Sequence, residues 1–339
     1  MSEIKFVPKV QINRSKMTSK LTRWLMSTGG IGIALLFMCI IFTVVNPKFM
    51  SIVNMMNILV QISINLVIAT GMTIVILLGG IDLSVGSVLA LCSVIAGKIL
   101  TNPTLPIGLA IFFSCLSSLL VGMGCGLFNG FVSERWRIHP FIVTLGMMNI
   151  ARGAALKITG ANTIYNFPMP FSRFGELNIL YVPSIFLIAL AIILLGIFVL
   201  TKTVYGRFIY AIGNNEEAVR LSGHNPKVKK IIAFVICGGT VGIAAILYML
   251  RLNIASPILG FNFELYAIAA TVIGGTSMFG GKGSLIGTFF GVCIIGVLNN
   301  GLLLAGMDDF VRQMVTGAII VVAVVLDTYR SKFSISLVK

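Results

Sequence analysis

The chain has 339 residues, 57% of them hydrophobic and only 10% charged, and its mean hydropathy is +1.03. A soluble globular domain carries roughly 25% charged residues, so the composition excludes one and defines a membrane protein. The formal net charge of +15 then reads as a topology signal rather than as a nucleic-acid footprint, because no soluble domain is left to carry a basic patch.

In chain order, residues 1–28 form a basic segment with six Lys or Arg and no cleavable signal pattern. Ten apolar runs follow, at 29–46, 55–79, 83–101, 107–132, 139–159, 181–200, 231–254, 264–279, 284–304 and 310–328. Most approach the roughly 20 residues that a helix needs to cross a hydrocarbon core of about 30 Å; the eighth is the shortest. The predicted fold is an all-α polytopic membrane protein of about ten transmembrane helices, its membrane domain spanning 29–328. Placing the N-terminus inside puts 18 of the 25 Lys and Arg residues on cytoplasmic segments, which orients both termini, including the tail 329–339, toward the cytoplasm. Trp24 and Trp136 then fall beside cytoplasmic ends, where an amphipathic ring suits the interface.

Catalytic and metal chemistry find little support. The six cysteines all lie within apolar runs without a CxxC pair, which reads as small buried hydrophobes. His139 and His224 have no ligand partners at metal spacing, so no metal site is expected. The glycine-rich stretch GTSMFGGKG (275–283) has one residue too many between its glycines for a P-loop and lacks the Ser or Thr after its lysine. No GxSxG or HExxH occurs, and none of the ten acidic residues pair within a run. The chain therefore reads as a transport subunit, with no catalytic residue and no cofactor of its own.

Polar residues inside apolar runs are the candidate path or gate, because such groups need partners in hydrocarbon. Gln61 and Asn65 lie with Ser63 on one half of the second run. GGIDLSVG (79–86) carries Asp82 and Ser84, which have two readings: a wet helix cap at the inner surface, or a broken helix lining an inner gate. Thr144 and Arg152 stand with Met148 on one helical stripe, Asn149 beside them, and Arg152 either snorkels outward or joins the path. Glu264, Asn299 and Asn300 complete the set. Gly122, Gly124, Gly126 and Gly130, and Gly283, Gly287 and Gly291, are spaced for close helix packing.

The longest inner connection, residues 201–230, contains its own helix signal. Asn214 or Asn215 can cap it, Glu216 and Glu217 suit the first turn, Gly223 can close it and Pro226 follows. So short a helix is marginal in water, which predicts that it docks onto something.

The segments NILVQISINLVIATGMTIVILLGGIDLSVGS (57–87), PFIVTLGMMNIARG (140–153), YGRFIYAIGNNEEAVRLSGHNPKVKK (205–230), FELYAIAATVIGGTSMFGGKGSLIGTFFG (263–291) and NNGLLLAG (299–306) resemble, in the same order, the permease subunits of ribose-type ABC importers. The resemblance covers about residues 30–328. It implies a subunit of the bacterial inner membrane, paired with a second copy of itself and surrounded by lipid. It also implies a periplasmic binding protein that delivers sugar and a separate cytoplasmic ATPase that binds Mg-ATP. The part of the loop from Ala211 to Gly223 corresponds to the family's coupling region, with Asn215, Glu216, Glu217, Ala218, Arg220 and Gly223 as the residues facing the ATPase. Val219 replaces the second alanine of the wider EAA-x-x-x-G pattern, and His224 stands where relatives carry an apolar residue. Ribose, allose, galactose, xylose and autoinducer-2 permeases are all similar, with ribose the first expectation. An ion-coupled secondary sugar transporter using Asp82 and Glu264 as proton carriers is the alternative reading, and an enzyme acting on a lipid-linked substrate is a more distant one.

Overall fold

In the computed structural model, residues 28–336 are described. The basic segment, apart from Thr28, and the last three residues of the tail lie outside them, as does Trp24. Helix α1 (Thr28–Val45) and a single 3₁₀ turn (Pro47–Met50) precede α2 (Ile52–Leu77), α3 (Val85–Leu100), α4 (Ile107–Trp136) and α5 (Pro140–Thr159). A short α6 (Met169–Glu176) and a small antiparallel hairpin of β1 (Asn178–Ile179) and β2 (Val182–Pro183), with Asn178 opposite Pro183, lead to α7 (Ser184–Lys202). The charged loop folds as α8 (Val204–Asn214) and α9 (Glu216–Leu221), and α10 (Pro226–Leu252), α11 (Phe263–Ile273), α12 (Leu285–Leu304) and α13 (Asp309–Ser336) follow.

Each of the ten apolar runs lies on a helix. Six helices, α2, α4, α5, α7, α10 and α12, are long and apolar enough to cross a membrane, whereas α1, α3 and α11 contribute shorter apolar stretches. The eighth run differs from its expectation: α11 stops at Ile273 rather than continuing to 279. Gly275, Gly280, Gly281 and Gly283 have φ of 85°, 84°, 72° and 153°, a backbone that favours glycine and cannot continue a right-handed helix. At 1.5 Å per residue, α11 is only about 16 Å long. The segment before it, from Asn253 (φ 55°) to Asn262 (φ 65°), is also irregular. The last helix runs past 328 to Ser336.

The core is organised around α2, whose second half is buried almost without interruption. Thr73 Oγ1 returns a hydrogen bond to the Ala69 carbonyl at 2.6 Å and meets Thr288 Oγ1 at 2.8 Å and Thr271 Oγ1 at 3.4 Å, joining α2 to α12 and α11. Asn54 and Asn300 exchange amide hydrogen bonds, both at 2.9 Å, between the start of α2 and the end of α12. Helices α4 and α10 cross at glycine. A Cβ on Gly122 would strike the Gly238 carbonyl, and one on Gly126 would strike the Phe234 carbonyl. Gly124 points into open space, so only part of the expected glycine row faces a helix. Leu120, Leu127, Phe128 and Phe131 remain exposed on α4, as do Leu36, Phe37 and Ile40 on α1. Such apolar faces suit lipid contact.

Candidate functional site

Most residues nominated by the sequence fall in four places, with Asn149 and Asn300 outside them. At the end that carries the charged loop, α9 forms as expected. Asn215 is its cap and accepts a hydrogen bond from the Ala218 amide at 3.0 Å, Glu216 and Glu217 occupy the first turn, and Gly223 (φ 84°) follows. Asn214 instead ends α8 and holds the Gly281 carbonyl at 3.3 Å. Val219 docks α9 onto the body at 8% exposure, while Leu221 points away at 77%. Arg220 grips Glu217 with two hydrogen bonds, 2.9 and 2.5 Å, and the contact holds the Glu217 carboxyl below the usual carboxylate range. His224 stacks edge-on to Phe208 at 4.6 Å, and Lys229 lies over the same ring at 5.4 Å, so the unexpected histidine has an aromatic partner.

Between α9 and the ends of α4 and α5 lies a cleft of about 970 Å³, lined by Glu134, His139, Glu216, Glu217, Arg220 and Lys230, among others. Lys230, in the second turn of α10, reaches Glu134 of α4 at 3.3 Å and Glu216 of α9 at 2.5 Å. A single ammonium therefore ties the loop helix to two long helices. Its role was not legible in the sequence, because Glu134 lies 96 positions upstream of Lys230.

Asp82 forms a second cluster, and its position corrects the wet-cap reading. It is 2% exposed, and α3 begins only at Val85. Its Oδ1 accepts from the Ser84 amide at 2.9 Å and from Ser84 Oγ at 2.6 Å, while Asn129 Nδ2 approaches Asp82 Oδ2 at 3.4 Å and Ser84 Oγ at 3.0 Å. Thr144 Oγ1 donates to the Ile81 carbonyl at 3.3 Å, or to its own helix at Phe141, 3.2 Å. The turn GGIDLS is thus locked inside the bundle by α4 and α5. Asn129 was missed, although Gly122, Gly126, Asn129 and Ser133 make one small and polar helical face, all buried. We expect Asp82→Leu to leave the Ser84 amide and hydroxyl without their acceptor, while Asn129 Nδ2 keeps Ser84 Oγ, at a cost of about 1–3 kcal/mol, and Asp82→Asn, which keeps one carbonyl oxygen, to cost less. Thermal unfolding in detergent measures both; melting of Asp82→Leu at the wild-type temperature would show that the cluster contributes no stability.

Arg152 belongs to a third cluster and neither snorkels nor stands free. Its Nη1 donates to the carbonyls of Pro257 (2.6 Å) and Leu259 (2.8 Å), which lie in the irregular segment before α11. The same segment is pinned by the Ile164 and Ala255 backbone pair (2.7 and 3.0 Å) and by Thr163 to Ser256 (3.0 Å). Arg152 thus supplies donors to carbonyls that no helix satisfies. Glu264 interacts electrostatically with Arg152 and its carboxylate crowds Gly86, where a Cβ would strike both it and the Gly260 carbonyl.

Gln61, Asn65 and Asn299 line a separate cavity of about 360 Å³ between α2, α10, α11, α12 and α13. Asn300 does not reach it, being paired with Asn54. Asn149 is exposed and bonds only to its own helix, at the Leu145 carbonyl, 3.0 Å.

A bundle of apolar helices with a short charged helix beside a cleft at one end defines a polytopic membrane protein. A family described as the permease component of branched-chain amino acid transport systems matches residues 54–324. The ribose import permease of Escherichia coli (strain K12) is 40% identical over 310 residues, covering 90% of this chain and 94% of that protein. The ribose import permease of Bacillus subtilis (strain 168) is 41% identical over 305 residues (88% and 92%), and the D-allose transport system permease of E. coli K12 is 37% identical over 293 residues (86% and 89%). No solved structure is significantly similar. The chain belongs to this family of transport-system permeases, and within it to the sugar permeases of the ribose type.

Proposed function

We infer that this chain is the membrane-spanning permease subunit of an ATP-binding-cassette importer that moves a monosaccharide across the bacterial inner membrane. The observation that carries this reading is the roughly two-fifths identity, over nine-tenths of the chain, to ribose import permeases. Ribose is the first candidate, since the ribose import permease is 40% identical, against 37% for the allose and 35% for the galactose permease of the same organism.

In this reading the chain crosses the membrane about ten times with both termini in the cytoplasm, which places α9 and the charged cleft on the cytoplasmic side. A separate ATPase binds Mg-ATP and docks on Asn215, Glu216, Glu217, Ala218, Arg220 and Gly223, with exposed Leu221 as the apolar contact at the centre of that surface. A periplasmic binding protein delivers sugar at the other end. Two copies of the chain pair within the lipid bilayer. Asp82, Ser84 and Thr144 hold the inner GGIDLS turn in shape, Arg152 and Glu264 brace the non-helical connection between α10 and α11 that enters from the outer side, and Gln61, Asn65 and Asn299 line the outer part of the path.

Orientation matters for the test, so the chain is reconstituted right-side-out with its ATPase in vesicles, the binding protein is added outside and ATP is enclosed. Uptake of labelled D-ribose is expected to require ATP and to be unaffected by collapsing the proton and sodium gradients. Uptake that persists without ATP and disappears when a gradient is collapsed is the outcome that replaces this reading with an ion-coupled transporter.

A further inference from the structure

The cavity bounded by α2, α10, α11, α12 and α13 has features that passage alone does not need. Among the described residues, only four buried side-chain N or O atoms lack a hydrogen-bond partner, and two of them belong to residues lining this cavity: Asn65 Oδ1 and Arg312 Nε. One can only accept and the other can only donate. Buried polar atoms are nearly always satisfied, so an orphaned acceptor and an orphaned donor bordering one cavity call for a ligand or water that does both. A hydroxyl group does both.

The apolar part of the lining has the complementary character. Tyr248, Phe263 and Tyr266 follow one another, with ring centroids 5.7 and 6.4 Å apart and planes tilted at 54° and 53°. Such a run of ring faces suits the C–H faces of a sugar ring. Asn299 Nδ2 is used by the Ile295 carbonyl at 3.0 Å, which leaves its oxygen as a further acceptor. The volume of about 360 Å³ lies at the lower end of the roughly 300–1,000 Å³ of small-molecule pockets. Of the charged lining residues, Arg312 is ion-paired with Asp309, which leaves the exposed Arg251 as the one unpaired charge.

We propose that this cavity is a binding site for a single neutral monosaccharide, a stopping point on the transport path held by Asn65, Arg312 and the three aromatic rings. The proposal deepens the sugar-importer reading and rests on it. Asn65 accepts a hydrogen bond from one sugar hydroxyl, Arg312 Nε donates to another, and Phe263 and Tyr266 cover the ring. Affinity is low, because a carrier site must release what it binds.

The test uses the full chain, purified in detergent without its partners, and saturation-transfer NMR with D-ribose as the probe. Asn65→Leu and Tyr266→Ala are compared with wild type, each first shown to be monodisperse and to assemble with the ATPase. Wild type is expected to give a saturable signal, and each variant to bind about tenfold more weakly; in the reconstituted importer the same variants raise KM for uptake more than they lower ATP hydrolysis. Absence of a saturable ribose signal in wild type, or an unchanged signal in both variants, overturns the site. If ATP-driven uptake by wild type is intact at the same time, only the site falls; if that uptake is itself absent, the importer reading falls first.

Discussion

Replacing Lys230 by Glu is expected to lower ATP-driven uptake by about 100-fold, or about 2.7 kcal/mol, while the chain still reaches the membrane in normal amount. Lys230 is 18% exposed and faces Glu134 (12%) and Glu216 (45%), so the Glu134 contact is screened less than a surface pair while the Glu216 contact is open to solvent. The substitution brings three carboxylates together and pushes α9 away from α4 and α10. Because α9 itself keeps its Asn215 cap and its Arg220 clasp, the helix survives but loses its attachment. Adding Glu134→Lys restores the attraction between positions 134 and 230 while leaving position 216 repelled, so about a tenth of wild-type uptake should return. Wild-type uptake by the single variant would show that Lys230 carries no coupling.

The second large effect is in the membrane interior. Gly238→Leu is expected to abolish recovery of folded protein, because a Cβ at that position already meets the backbone of Gly122 and lies 3.1 Å from the Gly126 nitrogen. Helices α4 and α10 must separate to admit it, and overpacking of this kind costs about 1–3 kcal/mol or more. Gly124→Leu is the control: it lies on the partner helix α4 with nothing within 4 Å of its Cβ and should change stability by less than about 0.5 kcal/mol. Size-exclusion profiles of detergent extracts over a temperature series measure both. Equal recovery of the two variants would contradict the assigned packing.

Much of this architecture can be read from the sequence, because apolar runs and cap residues act locally. Each of the ten runs lies on a helix, the eighth over only part of its length, and Asn215, Glu216, Glu217 and Gly223 built the loop helix as their chemistry requires. Long-range pairing was hidden. Arg152 seemed to face a choice between lipid headgroups and a path, and instead satisfies two carbonyls more than 100 positions downstream. Asp82 had two readings, a wet cap or a turn lining an inner gate, and is buried with Asn129 from α4 against it. The eighth run failed for a local reason that hydropathy masks: its glycines are apolar enough to extend a window, yet their positive φ ends the helix. Asn300 looked like Asn299 in sequence, but one position around a helix, about 100°, turns it from the cavity to Asn54.

The central claim is that a separate ATPase engages this chain at α9. The most direct measurement is purification of the chain from its native membrane in mild detergent, with mass spectrometry of the accompanying proteins, for wild type and for Glu216→Lys/Glu217→Lys. The account predicts a P-loop ATPase with the wild type, lost with the double variant while the chain itself is recovered in equal amount. Equal recovery of the ATPase with both forms, or its absence from both, would contradict it.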